Sequence, residues 1–241
     1  MTQLISGTSP ALGLMAFWAR IDDDYLLKFQ QWHNCEHVPE RVSIPGFLRG
    51  RRYRDMNCSP FFLMFYETIN TECLGAAPYL AALNTPTPWT KEALTHFREP
   101  ARNIYTLRTQ AGDGAINPAP YLASMRFNLA DSGSVDAIEK LGSRWLDSIA
   151  KIGGVRRARL YEVDETITGI VTSERKIYGN GPGAQQYLTL IEADLPHETW
   201  SKQVVDALFQ IFPANDPRID LTSDYFWLEF GYTDPSWAAI S

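Results

Sequence analysis

The alternation of apolar and polar positions predicts two successive βαββαβ segments. In the first half, strands are expected over residues 14–20, 47–53, 61–68 and 104–108, and helices over residues 22–45 and 78–97. In the second half, strands are expected over residues 121–129, 155–163, 187–193 and 225–232, and helices over residues 134–149 and 198–212. The order in each half is that of the split βαβ, or ferredoxin-like, motif.

The two halves also share a register. Adding 108 to five positions of the first half gives the same residue type in the second, and the pairs are Ile44 and Ile152, Gly46 and Gly154, Arg49 and Arg157, Arg51 and Arg159, and Tyr53 and Tyr161. The offset grows from 108 to 125 where Glu67 is matched with Glu192, so the second half holds 17 additional residues. The Gly-rich residues 165–184 are expected to form them, as an extended hairpin or lid-like loop.

These patterns predict two ferredoxin-like units, residues 1–115 and residues 116–241. A unit of this kind carries two helices on one face of a four-stranded antiparallel sheet, and its bare face must be covered. The simplest cover is the sheet of the other unit. The predicted fold class is therefore α+β, with two tandem units whose sheets pack face to face as an α+β barrel. Such a chain would act as a monomeric pseudo-dimer or as a homodimer.

Period-two alternation along the strands predicts which side chains face the space between the sheets. Residues 123, 125, 127 and 129 are uniformly apolar and are expected to pack on helices, so the positions between them point inwards. The residues expected to point inwards are Trp18, Arg20, Phe47, Arg49, Arg51, Tyr53, Phe62, Met64, Tyr66, Ser124, Arg126 and Asn128. An interior of aromatic rings and arginines is ordinary for a ligand cavity. The arginines, including Arg159, either bind an anionic group there or pair with acidic neighbours.

The strongest chemical feature is the sequence WHNCEHVPE at residues 32–40. His33 and His37 lie four residues apart and share a helical face, with Glu36 beside them. The second half has neither histidine at the matched positions, which indicates one working site rather than two.

Three interpretations of this segment compete. The histidines could stabilise a helix end. The order HxxEH could instead hold a metal ion through His33 and His37, with Glu36 as the base. A metal-free acid–base site is the third interpretation and the preferred one, in which Glu36 or Glu40 fixes the tautomer of a histidine with a pKa near neutrality.

The segments FQQWH (residues 29–33), EHVP (residues 36–39) and IPGFLR (residues 44–49), with Arg52 and Tyr53, resemble the EthD-like branch of the dimeric α/β-barrel superfamily. The motif covers the first half, and the second half is similar in topology only. The resemblance implies that His37 lines a cavity as acid or base, flanked by Trp32 and Tyr53. The superfamily includes polyketide cyclases, muconolactone-type isomerases, decarboxylases, dehydratases, cofactor-free monooxygenases and some haem-associated proteins, so the fold does not choose the reaction.

Composition narrows the class of partner. The 22 basic and 28 acidic residues give a net charge of −6, which argues against nucleic acid or an anionic membrane as a partner. No apolar run approaches the roughly 20 residues of a membrane span. The first residues lack the basic start of a signal peptide, and the 3 cysteines do not form metal-type pairs. A cytoplasmic protein without disulfides is expected. The 7 Trp, 11 Tyr and 12 Phe suggest a lined cavity besides a core.

The sequence therefore predicts a cofactor-independent lyase, isomerase or cyclase that acts on a small aromatic or polyketide-like molecule. Decarboxylation, dehydration and aldol or retro-aldol chemistry all begin with proton transfer beside a carbonyl or phenol. His37 is expected to move the proton with help from His33 or Glu36, and Tyr53, Tyr66 or an arginine such as Arg49 to stabilise the oxyanion. A metal-dependent hydrolase using HxxEH and a non-catalytic ligand-binding or stress protein are the alternatives.

Overall fold

The structure is a computed structural model that describes residues 3–4, 12–112, 118–129, 139–179, 181–212 and 221–233. Its strands are β1 (Gln3–Leu4), β2 (Gly13–Ile21), β3 (Phe47–Asp55), β4 (Phe61–Thr68), β5 (Phe97–Gly112), β6 (Tyr121–Phe127), β7 (Val155–Val163), β8 (Tyr187–Ala193) and β9 (Thr222–Thr233). Its helices are α1 (Leu26–Trp32, continued by a π-helical turn His33–His37 and by Val38–Val42), α2 (Ala77–Asn84), α3 (Pro88–Leu94), α4 (a π-helical turn Leu141–Leu146 with Asp147–Ile149), α5 (Glu165–Thr168), α6 (Ser173–Tyr178) and α7 (Ser201–Ile211). None of the helices in these ranges combines the length and apolarity needed to cross a membrane.

The chain divides into two compact units. The first, here called the N-unit, consists of Pro10–Thr106, Asp164–Gly183 and Glu229–Ser241. The second, the C-unit, consists of Met1–Ser9, Leu107–Val163 and Ala184–Leu228. Strands β5 and β9 each contribute residues to both units. The inserted segment therefore belongs to the N-unit, although it lies in the second half of the sequence.

The inserted segment contains two short helices, which the prediction of a hairpin or loop did not include, whereas residues 179 and 181–184 of its Gly-rich end are not helical. Helix α5 begins after Asp164, whose side chain accepts a hydrogen bond from the backbone N–H of Ile167 at 3.0 Å. Helix α6 begins after Thr172, which caps it through the backbone N–H of Arg175. Asp and Thr are favoured helix N-caps, and their effect outweighs the glycine content on which the loop prediction rested. The Thr168 hydroxyl, which accepts from a backbone N–H of β5, anchors the segment to the sheet.

The N-unit sheet has the antiparallel strand order β5–β2–β4–β3. Its register pairs Phe17 with Met64 and Trp18 with Leu63, which fixes the side chains that share a face. One face packs against α1, α2 and α3, and its core includes Met15, Phe17, Phe29, Trp32, Val38, Phe47, Phe62, Met64, Tyr66, Tyr79 and Leu94. This helix face also bears the candidate site.

The prediction that Phe62, Met64 and Tyr66 share a face with Trp18 was wrong. Alternation along one strand separates two sets of side chains, but only the register with the neighbouring strand decides which sets share a face. Here Trp18 lies in one cross-strand row with Leu63 and Tyr53, and that row points away from the helices.

The prediction was also wrong for Phe47, which packs in the core of the helix face. Strand β3 has a register irregularity between Phe47 and Arg49. An extra residue at such a bulge reverses the alternation. As a result Arg52, and not Arg51, reaches the helices from β3.

The C-unit sheet has the strand order β9–β6–β8–β7. The predicted packing of Ala123, Met125, Phe127 and Leu129 is confirmed, because all four lie in the core formed with α4 and α7. Residues 134–138 of the predicted helix lie outside the described residues, whereas the final turns, Leu141–Leu146 and Asp147–Ile149, are helical as expected.

Two backbone features recur at the 108-residue offset. The π-helical turn that begins at His33 has a counterpart that begins at Leu141. Gly46 and Gly154 both have a φ angle of 91° in the turn that leads into the next strand. These irregularities therefore belong to the backbone that the two units have in common, whatever side chains each unit carries.

The shared turn gives a test of the backbone. A Cβ atom at Gly46 would lie 2.3 Å from the Sγ atom of Cys73, and its positive φ is unfavourable for any residue with a side chain. We expect Gly46→Ala to lower the free energy of unfolding by at least about 1 kcal/mol in urea titrations. Gly153→Ala is the matched control, because no atom lies within 4 Å of its Cβ position. It should be neutral or stabilising by up to about 1 kcal/mol, and equal losses in both variants would contradict the assignment.

Candidate active site

A cavity lies on the helix face of the N-unit sheet. Strands β2, β4 and β5 form its floor, and α1, α2, α3 and the inserted α6 surround it. Its apolar lining consists of Met15, Phe17, Trp32, Met64, Leu83, Leu94 and Phe97, and its polar lining of His33, His37, Arg41, Tyr66, Tyr79, Arg102, Thr172, Glu174 and Tyr178. A concave, mostly apolar pocket with a few convergent polar groups is the usual form of a small-molecule site.

The structure brings together five of the residues that the sequence singled out. The residues that line the cavity are Trp32, His33, His37, Met64 and Tyr66. Met64 and Tyr66 reach it from the helix face and not from the opposite face on which the sequence placed the site. Both histidines therefore lie close to aromatic residues that the sequence predicts for the site. The site itself lies on the helix face of the sheet, whereas the sequence placed it on the opposite face.

The other predicted residues do not line this cavity. Those on the opposite face of the N-unit sheet are Trp18, Arg49, Arg51 and Tyr53. Arg49 lies 3.0 Å from a carboxylate oxygen of Glu67, so the ion-pair alternative describes it well. Arg20 is half exposed beside Glu99, and Phe62 packs on Phe29 with ring centroids 5.1 Å apart.

Two predicted arginines lie in the C-unit and take part in ion pairs there. Arg126 donates to Asp224 at 2.9 Å. Arg159 is buried, with its guanidinium 3.6 Å from Glu192. Neither contributes to the N-unit cavity.

The two histidines lie in the π-helical turn of α1, with ring centroids 5.7 Å apart. The wider turn of a π-helix is often found at functional sites because it changes the direction of side chains. His33 is fully buried, and His37 is 9% exposed with its ring 4.4 Å from that of Trp32. Both imidazoles are therefore held away from bulk water, against an aromatic wall.

Arg52 determines the tautomer of His33. Its Nη1 atom lies 3.0 Å from His33 Nδ1, and its Nε donates to Glu229 at 2.6 Å. A guanidinium has only donors, so Nδ1 must accept and the proton of the neutral ring lies on Nε2. Burial, and then the charge of Arg52, lower the pKa of His33 well below its usual value. His33 is therefore a hydrogen-bond donor in this site and a poor base.

His37 has the complementary property. Its Nδ1 atom is buried and has no hydrogen-bond partner in the structure. Burial, followed by the charges of Arg41 and His33, lowers the pKa of its imidazole. His37 lines the cavity, is neutral at physiological pH and has a buried ring nitrogen without a hydrogen-bond partner. A neutral imidazole is the form of a histidine that can accept a proton.

A buried ion pair closes the cavity on the side of the inserted helix. Arg41 Nη2 contacts Glu174 Oε1, and both side chains are almost fully buried. Burial raises the pKa of the Glu174 carboxyl to about 7, against the opposing effect of Arg41. Nearby, Arg102 donates to the hydroxyl of Tyr79 at 3.2 Å. Burial also raises the pKa of Tyr66, which is therefore a neutral phenol and a hydrogen-bond donor.

Glu36 does not fix a histidine tautomer, so that prediction was wrong. It accepts hydrogen bonds from Thr87 and Thr90, at 2.6 and 3.1 Å. Thr90 in turn accepts from the indole N–H of Trp32 at 3.1 Å. The Thr87 side chain caps α3 by accepting a hydrogen bond from the backbone N–H of Thr90. Glu36 thus ties α3 to α1 and orients Trp32 behind His37.

The geometry does not favour the HxxEH metal interpretation. Glu36 is directed to two hydroxyls of α3, and a guanidinium donor occupies His33 Nδ1. Throughout the described ranges, the one group whose three potential ligand atoms lie within 4.8 Å of one another is Asp22, Asp24 and His96. That group lies outside the cavity, and Asp22 is already paired with Arg98 at 2.6 Å.

Six polar residues of the cavity were not found from the sequence. These are Arg41, Tyr79, Arg102, Thr172, Glu174 and Tyr178. They come from four elements far apart in the chain, and no spacing rule connects them. The one available signal was that the insertion occurs in a single half and carries both an acidic residue and a tyrosine.

The raised pKa of Glu174 predicts a component of stability that depends on pH. The folded protein holds a proton on this carboxyl up to about pH 7, whereas the unfolded chain releases it near 4.5. The contribution is therefore fully present below the unfolded value and is lost as pH rises through about 7. We expect the free energy of unfolding of the wild type, measured relative to that of Glu174→Gln in urea titrations, to fall between pH 5 and pH 8. If this difference stays constant or rises with pH, the raised pKa of Glu174 is contradicted.

No known family's sequence profile matches this chain, and no curated protein matches it in sequence. Solved structures do resemble it. An anthrone oxidase-like protein has a TM-score of 0.63 at 10% identity, over 97% of this chain and 96% of that one. A proposed monooxygenase from Lactobacillus acidophilus NCFM has a TM-score of 0.58 at 6% identity, over 92% and 96%. A chlorite dismutase variant from Candidatus Nitrospira defluvii has a TM-score of 0.57 at 11% identity, over 93% of each chain. The chain therefore has an α+β fold of the dimeric α/β-barrel type.

Proposed function

We propose that this protein is an enzyme that moves a proton on a small aromatic molecule, as a lyase, isomerase or cyclase that needs no metal or organic cofactor. The observation that carries the proposal is His37, a neutral histidine that lines an aromatic cavity and whose buried Nδ1 atom has no hydrogen-bond partner. Buried polar atoms nearly always have a partner, so a ring in this state is suited to interaction with a ligand. The similar structures are named as enzymes of small molecules, which supports the broad class.

In the proposed mechanism, His37 acts as general base. Its neutral imidazole takes a proton from a carbon or hydroxyl group beside a carbonyl, and negative charge develops on the substrate oxygen. The Tyr66 hydroxyl is available to that oxygen, because it is buried without a hydrogen-bond partner. Preorganised donors in a site shielded from water stabilise such an oxyanion strongly.

The low pKa of His37 is compatible with this role because the substrate changes its surroundings. Burial and the charge of Arg41 disfavour the imidazolium in the empty cavity. An enolate or phenolate formed within a few ångströms would favour the imidazolium by charge attraction. The proton transfer therefore creates a compensated pair of charges. In a second step, the imidazolium gives its proton to a different substrate atom and becomes neutral again.

The C-unit supports the assignment of one site per chain. At the 108-residue offset, His33, His37 and Arg41 correspond to Leu141, Trp145 and Ile149, and at the 125-residue offset Tyr66 corresponds to Ile191. All four counterparts are fully buried apolar residues of the C-unit core. The same backbone with apolar side chains therefore folds well, so the polar set of the N-unit is not required by the fold.

We propose further that the protein belongs to the EthD-like branch, functions as a pseudo-dimer and is located in the cytoplasm. The WH…EHVP motif with the following PGF and RRY segments supports the EthD-like branch. Every residue that lines the cavity comes from the N-unit of one chain, which supports a pseudo-dimer that functions without a second copy. Cys35, Cys58 and Cys73 are free thiols, which supports a cytoplasmic location.

Exchange of carbon-bound hydrogen with solvent tests the proposed chemistry. The purified protein is incubated in D₂O with a panel of aryl ketones, aryl β-keto acids and polyhydroxylated aromatics, and deuterium uptake and loss of CO₂ or water are followed by mass spectrometry. We expect at least one compound to react, and His37→Ala to reduce its rate at least about 100-fold. His96→Ala is the matched control, because His96 stacks on Tyr25 outside the cavity. Equal rates for His37→Ala and the wild type would refute the assignment.

A further inference from the structure

We propose that the cavity binds an aromatic carboxylate, with the carboxylate group between Arg41 and Arg102 and the ring against the apolar wall. This inference deepens the proposed function and rests on it in taking the cavity as the substrate site. It names the chemical class of the substrate, which neither the fold nor the sequence motif specifies.

The balance of charge in the cavity is the first argument. Two guanidinium groups, those of Arg41 and Arg102, line it with one carboxylate, that of Glu174. Arg41 forms its ion pair with Glu174. Arg102 donates to the hydroxyl of Tyr79, and no carboxylate in the described part of the chain forms an ion pair with it. Glu40, 3.5 Å from Arg41 Nη1, is partly exposed and lies outside the lining. The groups that line the cavity therefore carry an excess of positive charge, which a monoanionic ligand would neutralise.

The cavity also has more hydrogen-bond donors than acceptors. Arg41 Nη1 is buried and lacks a hydrogen-bond partner, and it lies 3.5 Å from a carboxylate oxygen of Glu40. His33 presents an N–H at Nε2, since Arg52 occupies Nδ1. A site with several donors and few acceptors suits a group with acceptors only. A carboxylate offers about four lone-pair positions and matches the planar fork of arginine.

The aromatic and apolar side chains on one wall of the cavity indicate that the rest of the ligand is an aromatic ring. Phe17 contacts Phe97 and Tyr178, with ring centroids 5.4 and 5.0 Å away. Trp32 and Leu94 complete the wall near His37. Aromatic side chains pack favourably with a planar ring in offset or edge-on arrangements. An aromatic acid would thus place its ring on this wall and its reactive atoms beside His37.

Binding of an anion here should be coupled to a proton on Glu174. The charged or titratable groups that face Glu174 are Arg41 and Glu40 of α1, Tyr66 of β4, Tyr79 of α2, Arg102 of β5 and Tyr178 of α6. A second negative charge beside this carboxyl disfavours its ionised form, whose pKa burial already raises to about 7. Binding therefore takes up a proton, and affinity should fall as pH rises above 7.

Benzoate and benzamide provide a matched pair of probes, because they share shape and differ in charge. Isothermal titration of the purified full chain should show benzoate bound at least about 10-fold more tightly than benzamide at pH 6, as expected for hydrogen bonds between charged groups. Benzoate affinity should fall about 10-fold between pH 6 and pH 8, as expected for a group with a pKa near 7. In Glu174→Gln this pH dependence should be lost.

Two arginine variants complete the experiment. Arg102→Met should weaken benzoate at least about 10-fold and leave benzamide unchanged. Arg98→Met, which removes an exposed guanidinium outside the cavity, should alter neither affinity. Equal affinity for both probes, or an Arg102→Met variant that binds benzoate as the wild type does, would overturn the proposal. If Arg102→Met does not fold, the proposal is decided by the difference in affinity between benzoate and benzamide and by the pH dependence of benzoate binding in Glu174→Gln.

The outcome is independent of turnover, because benzoate lacks an exchangeable C–H group beside a carbonyl. If His37→Ala keeps the full exchange rate while benzoate binding follows the pattern above, the proposed chemistry fails and the binding site stands. If exchange depends on His37 but benzoate and benzamide bind alike, the chemistry stands and the carboxylate class is wrong.

Discussion

The burial of the Arg41 charge is the constraint on which the candidate site depends. This guanidinium has 1% of its surface exposed, and an isolated charge in such a place would cost several kcal/mol. Glu174 accepts a hydrogen bond from this guanidinium and, above about pH 7, supplies the compensating negative charge. It comes from a helix inserted far along the chain. The ion pair therefore fixes the inserted helix over the cavity and leaves one nitrogen of Arg41 for a ligand. Loss of either partner would leave a buried charge uncompensated, so the two residues are expected to act as a unit.

A second polar network gives the two histidines different properties. Arg52 holds Glu229 with one nitrogen and His33 with another, and Gln30 donates to the same glutamate at 2.8 Å. Glu229 comes from β9, at the far end of the described chain. Because His33 is occupied by this network and His37 is not, two identical side chains four residues apart become a donor and a base. The difference arises from the sheet beneath them and not from the helix that carries both.

Local patterns in the sequence predict the elements and the helix that bears the histidines, whereas the face and the partners depend on distant contacts. The alternation along β4 correctly groups Met64 with Tyr66, but the register with β2 reverses the face on which they lie. Glu36 looks like a partner for a histidine by spacing, yet two hydroxyls of α3 bind it. Glu174 could not be connected with Arg41 from the sequence, because 133 residues separate them and no periodicity relates an inserted helix to α1.

The recurrence of the π-helical turn and of the positive-φ glycine in both units bears on how such a site can arise. In a homodimer, each substitution occurs in both copies, so a costly buried charge is introduced twice. Two units encoded in one chain escape that symmetry. The C-unit can keep Leu141, Trp145 and Ile149 as a well-packed apolar interior, while the N-unit departs from it one residue at a time. Two units of different sequence in one chain can thus separate activity in one unit from stability in the other, and the C-unit offers a scaffold into which a second, altered site could be engineered.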